Sequence, residues 1–141
     1  MNSLDKIIKV VLIAILIVAV LSVIYLVVIH NPGQNYSEFY ILDSNYNTSH
    51  YPNNLTVGQS GELIIGIQNQ EHESTNYTVE IKKDGQLLDK FNKTLSNHEK
   101  TETPFYFKAD NSGDEQEMEL ELYKNNITNP YRTLTFKYNV N

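Results

Sequence analysis

The stretch Glu117-Met118-Glu119-Leu120-Glu121-Leu122 decides the fold. Carboxylates and apolar side chains alternate along it without a break. Successive side chains of a strand point to opposite faces, so Met118, Leu120 and Leu122 face a core and the three glutamates face water. Working outward, the same period recurs. Phe39 and Ile41 alternate with Glu38 and Tyr40. Leu63, Ile65 and Ile67 alternate with Glu62, Ile64 and Gly66. Tyr77, Val79 and Ile81 alternate with Thr78, Glu80 and Lys82. Phe105 and Phe107 flank Tyr106, and Leu134, Phe136 and Tyr138 alternate with Thr135 and Lys137. No stretch beyond Ile29 sustains a helical period.

Turn chemistry falls between these runs. Asp84-Gly85 separates Val79–Lys83 from Gln86–Leu95, a strong hairpin signal. Gly58–Gly61, Asn111–Gly113 and Asn125–Pro130 separate other runs. Seven or eight strands over residues 37–141 predict a mainly β domain, an immunoglobulin-like antiparallel β-sandwich, with a small barrel as the alternative. The chain has no Cys and no Trp, so the disulfide and core Trp of antibody domains are absent. Packing alone must hold the domain, and Cys-ligated zinc sites are excluded.

The chain begins differently. From Val10 to Ile29 every residue but Ser22 is apolar. As a helix at about 1.5 Å per residue, this run spans roughly 30 Å, the thickness of a bilayer's hydrocarbon core. Lys6 and Lys9 flank its start, and the other flank carries no charge before Glu38. The positive-inside rule then places residues 1–9 in the cytoplasm, with 10–29 as a single transmembrane α-helix in membrane lipid. Residues 30–36 form a linker and 37–141 an extracytoplasmic domain. His30-Asn31-Pro32-Gly33 is expected to end the helix. A cleaved signal peptide is the rival reading, but the apolar run is long and no A-x-A pattern follows.

The outer stretch Tyr36–Tyr138 resembles an archaeal membrane-protein family known as domain of unknown function 1616. The likeness lies in Glu38-Phe39-Tyr40-Ile41-Leu42, in Tyr51-Pro52 with Leu55-Thr56-Val57-Gly58, and in Gly66-Ile67-Gln68-Asn69. It continues through Glu71-His72-Glu73, Asn76-Tyr77-Thr78-Val79 and Pro130-Tyr131-Arg132 with Leu134. The resemblance implies an outward-facing immunoglobulin-like domain, preceded in many members by several membrane helices. It implies no activity.

Six Asn-x-Ser/Thr sequons follow the apolar run, at Asn35, Asn47, Asn54, Asn76, Asn92 and Asn126. Random placement of the chain's Asn, Ser and Thr gives about two, and all six lie on the side assigned as external, where N-glycosylation occurs. The competing reading is an Asn-rich composition that also suits turns. Asp110, Asp114, Glu115, Glu117, Glu119 and Glu121 do not have the spacing of a calcium loop and read as a solvated strand face. Glu71-His72-Glu73 is no metal constellation unless His50 or His98 approaches it. Gly58-Gln59-Ser60-Gly61 lacks the nucleophile-elbow spacing, and neither a phosphate loop nor H-E-x-x-H occurs. No catalytic residue, cofactor or metal ligand is therefore expected. The outer region has 16 acidic and 9 basic residues, which disfavours nucleic acid. Outward Tyr40, Tyr106 and Tyr123 suggest a protein-binding or sugar-stacking patch. The expectation is a single-pass, N-in protein of the cell membrane with a non-catalytic outer domain. That domain would serve envelope interaction or accessory scaffolding with another envelope or membrane protein. A tethered carbohydrate-binding module is the alternative.

Overall fold

A computed structural model describes residues 2–29 and 34–141. The chain divides into two units, residues 1–34 and 35–141.

The first unit is a helix. α1 runs over Ser3–Ile24 and passes into a π-helical turn, Tyr25–Ile29. The helix starts earlier than the apolar run, because Asn2 caps it by accepting from the Asp5 N–H at 2.9 Å. Lys6 and Lys9 therefore ride on the helix rather than in a separate flanking segment. The Ser22 hydroxyl donates back to the Val18 carbonyl at 2.8 Å, so this polar group is satisfied within the helix. Ser3–Val27 is long and apolar enough to cross a membrane. The expected helix end at His30–Gly33 lies outside the described residues.

The second unit is a two-layer immunoglobulin-like sandwich. Its strands are β1 (Tyr36–Leu42), β2 (Asn54–Leu55), β3 (Ser60–Gln70), β4 (Thr75–Lys83), β5 (Gln86–Leu95), β6 (Lys100–Lys108), β7 (Gly113–Lys124) and β8 (Arg132–Val140). One sheet has the order β1-β3-β6 and the other β2-β8-β7-β4-β5. All pairings are antiparallel except the two-residue β2–β8 contact, which is parallel. Asp84 and Gly85 both have positive φ, 54° and 77°, as a primed two-residue hairpin requires.

The period-two reading puts the core where it was expected. Leu63, Ile65 and Ile67 of β3 meet Tyr77, Val79 and Ile81 of β4, and Met118, Leu120 and Leu122 of β7, all essentially inaccessible. Phe105, Phe107, Phe136 and Tyr138 close one end with ring centroids 5.2–6.2 Å apart. The outward set of β3 departs from the pattern at Ile64. Ile64 points away from this interior, yet only 1% of it is exposed. Its register partners are Leu42 and Pro104, so the outer face of the small sheet carries an apolar floor of its own.

Candidate functional site

The outer face of the three-stranded sheet is built around Gly66. A Cβ there would lie 2.1 Å from Cε2 and 2.2 Å from Cζ of Tyr40, so the absence of a side chain lets the ring settle on the backbone. The Tyr40 hydroxyl donates across β3 to Glu102 Oε1 at 2.9 Å, and Lys100 flanks that carboxylate at 3.5 Å. Burial, then the Glu102 hydrogen bond and charge, push the Tyr40 phenol well above its usual range. Four residues back from Gly66 along β3, on the same face, Glu62 pairs with Tyr106, which is 65% exposed. The Glu62 charge and hydrogen bond raise its phenol too. Both tyrosines thus stay protonated donors at neutral pH, set around the Ile64 floor.

A further exposed ring lies in a loop, and the sequence patterns do not show it. Tyr46 is 52% exposed, and its phenol contributes least among the causes that raise the Tyr106 phenol. It sits in the β1–β2 loop with φ 62°, a conformation that a bulky L-residue rarely adopts. Asp43 builds that loop. Its fully buried carboxylate accepts from the backbone N–H groups of Asn45 at 2.8 Å, Asn47 at 2.9 Å and His50 at 2.9 Å. These bonds, that from Asn47 foremost, hold the carboxyl below its usual range. The Asp43 backbone pairs with Asn47 and Tyr46 as well, so an inaccessible anion fixes an accessible aromatic ring.

Tyr123 stands elsewhere. It belongs to β7, on the outer face of the five-stranded sheet, and donates to Glu121. The three tyrosines expected as one patch are therefore divided, with Tyr40 and Tyr106 on one sheet and Tyr123 on the other. Glu117, Glu119 and Glu121 line that second face as read from sequence, with Lys137 3.5 Å from Glu117 and Lys82 3.2 Å from Glu121.

Glu71-His72-Glu73 is a loop after β3, but Glu71 folds inward. It accepts from Ser37 Oγ at 2.7 Å and Lys124 Nζ at 3.1 Å, beside a Ser37–Tyr77 hydroxyl contact of 2.7 Å. The His72 and His98 rings lie 6.5 Å apart, while His50 sits in the loop that leaves the other end of β1. Among the described residues, no three or more His, Asp or Glu side chains converge as metal ligands.

All six sequon asparagines are exposed. Asn35 precedes β1, with its Oδ1 2.5 Å from His72 Nδ1. Asn47 lies in the Asp43 loop, and Asn126 in the β7–β8 loop. Asn54 is on the edge strand β2 and accepts from Asn139 Nδ2 at 3.3 Å. Asn76 and Asn92 face outward on β4 and β5.

Solved structures with a similar fold share little sequence. The CARDB domain of a Pyrococcus furiosus protein, crystallised with di-metal ions, matches with TM-score 0.52 and 16% identity, over 77% of this chain and 96% of that one. A solution structure of the same domain gives 0.53 and 12%, over 76% and 97%. A β-glucosidase from Listeria innocua matches at 0.48 and 16%, over 77% of this chain but 16% of its own. The two CARDB likenesses show the fold alone. No curated protein matches the chain in sequence. Residues 30–139 match the family described as domain of unknown function (DUF1616), and the chain belongs to that family.

Proposed function

We propose that this is a membrane-anchored, non-catalytic recognition domain, held outside the cytoplasm, whose contact surface is the outer face of the three-stranded sheet. The occupant is a partner protein of the same membrane or envelope. One observation carries the reading: buried Asp43 holds Tyr46 in an unfavourable backbone conformation with its ring exposed, in the loop that leaves the edge strand β1 of that sheet. Rigid aromatic rings with polar tips give contact area at low entropic cost. The raised phenols suit binding rather than proton transfer at neutral pH. The helix, whose apolar run is preceded by Lys6 and Lys9 in its first turns, supports a single-pass anchor with its N-terminus inside.

Site-specific photo-crosslinking in native membranes tests the surface. A photoreactive residue at position 106 should capture one discrete partner, and one at 123 should not. Equal capture from both positions, or none from 106, overturns the proposal. A membrane-impermeant amine reagent on intact cells should label Lys90 and Lys93 but spare Lys6 and Lys9. The alternative reading, a tethered carbohydrate-binding module, is favoured by the Tyr rings set among Glu62 and Glu102. It predicts that neutral oligosaccharides perturb the Tyr46 and Tyr106 ring resonances.

A further inference from the structure

The β4–β5 ladder brings two sequons face to face. In its register Asn76 lies opposite Thr94, and Thr78 lies opposite Asn92. The hydroxyls are exchanged across the strands. Thr78 Oγ1 donates to Asn92 Oδ1 at 2.8 Å, and Thr94 Oγ1 donates to Asn76 Oδ1 at 3.1 Å. Each sequon's hydroxyl therefore serves the other sequon's asparagine. The six asparagines all lie off β1, β3 and β6, with Asn35 and Asn47 in the segments on either side of β1 and Asn47 next to Tyr46. Asn76 and Asn92 lie on the opposite sheet, Asn54 on its edge strand, and Asn126 in the loop between its strands β7 and β8.

We infer that Asn76 and Asn92 are a coupled pair of N-glycosylation sites, modified before the β4–β5 ladder closes, and that their glycans coat the five-stranded sheet. This rests on the extracytoplasmic placement proposed above. In the transfer, Asn Nδ2 bonds to the anomeric carbon of a glycan carried on a polyprenyl phosphate or diphosphate. The anomeric carbon–oxygen bond breaks, the phosphate leaves with its electron pair, and one amide proton passes to a base of the transferring enzyme. That enzyme reads Asn together with the hydroxyl two residues on as one unit. In the folded ladder this unit is divided between strands, so the folded pair is a poor acceptor. The product nevertheless fits the fold. A glycan on Nδ2 leaves Oδ1 free to accept, so both cross-strand hydrogen bonds survive on an exposed face.

Two measurements on the full chain decide this. Glycopeptide mass mapping of protein from its native membranes should find Asn76 and Asn92 occupied. Unglycosylated full-length protein, folded first and then offered to membranes holding the transferase and its lipid-linked donor, should gain glycan at these two sites at least ten-fold more slowly than a Val79→Pro chain, whose ladder is opened. Bare Asn76 and Asn92 in the native protein overturn the inference. So does equal transfer to the folded and opened chains, including no transfer to either. The amine labelling above reports orientation separately. Labelled Lys90 with bare asparagines refutes the glycans and spares the topology.

Discussion

Replacing Ile64 by Ala tests whether the outer face of the small sheet is a second packed surface. Alternation along β3 puts Ile64 on the solvent side, where truncation changes stability by less than about 0.5 kcal/mol. The structure gives it 1% exposure between Leu42 and Pro104. Fully burying an isoleucine side chain is worth roughly 1.5–3 kcal/mol, and truncation to Ala adds a cavity term, for a usual total of about 2–5. The covering groups lie at a surface and can relax, which favours the lower half, about 2–3 kcal/mol. Ile64→Val should cost about 1 kcal/mol. Urea unfolding of the full chain in detergent, followed by circular dichroism and tyrosine fluorescence, reads this directly. With a slope of about 2 kcal/mol per molar urea, Ile64→Ala should lower the midpoint by about 1–1.5 M. Ile127→Ala, at a site 58% exposed, is the control and should move it little. If Ile64→Ala behaves like Ile127→Ala, the floor under the aromatic face is not packed and the reasoning about that face is wrong.

Further outcomes follow from the same geometry. Asp43→Asn should abolish hydrogen-exchange protection at the Asn45, Asn47 and His50 amides and weaken crosslinking from position 106, although Asp43 itself is inaccessible; unchanged protection would show that the carboxylate does not build the loop. Because the folded Asp43 carboxyl is depressed, its contribution is complete above the ordinary Asp value of about 4 and is lost as pH falls below that. Protection of the loop should therefore fade in acid before the β-sheet signal does, and Asp43→Asn should remove that pH dependence. Gly66→Ala should expel the Tyr40 ring and break its bond to Glu102, seen as a changed near-ultraviolet tyrosine signal with the far-ultraviolet spectrum retained. Tyr77→Phe should cost about 1–2 kcal/mol in urea unfolding, because it removes the phenol hydroxyl that contacts Ser37 in the buried Glu71 network.

Most of the fold is legible in residue order, because a sheet with one wet face imposes a period that composition must obey. Glu117–Leu122 and Tyr77–Lys82 show it plainly, and Asp84-Gly85 marks the hairpin by its backbone needs. The two-residue β2 is too short to have a period and exists through its pairing with β8. The site is less legible. Tyr40 and Tyr106 are visible as outward strand residues, but strand alternation cannot tell which of two sheets a strand will join, so it does not separate Tyr123 from them. Tyr46 and Asp43 lie in a loop with no periodic signal. Asp43 is identified only by three amides converging on it from its own loop. Ile64 fails the rule because a face may be outward and still covered. The exchange of hydroxyls between the sequons needs the β4–β5 register, which neither triplet contains alone.

The placement of β8 also sets a clock. It lies between β2 and β7 and brings Phe136, Tyr138 and Val140 into the core, so the five-stranded sheet cannot close before residue 140 has been made. Asn92 is synthesised roughly fifty residues earlier, an interval of about 3–10 s at ordinary elongation rates. Until β7 and β8 arrive, β4 and β5 form an isolated hairpin, which is marginally stable at best in water. Hairpins form and open within microseconds, so the strands separate many times in those seconds. The last strand to be made thus determines how long the earlier strands remain open to chemistry that the finished sheet resists.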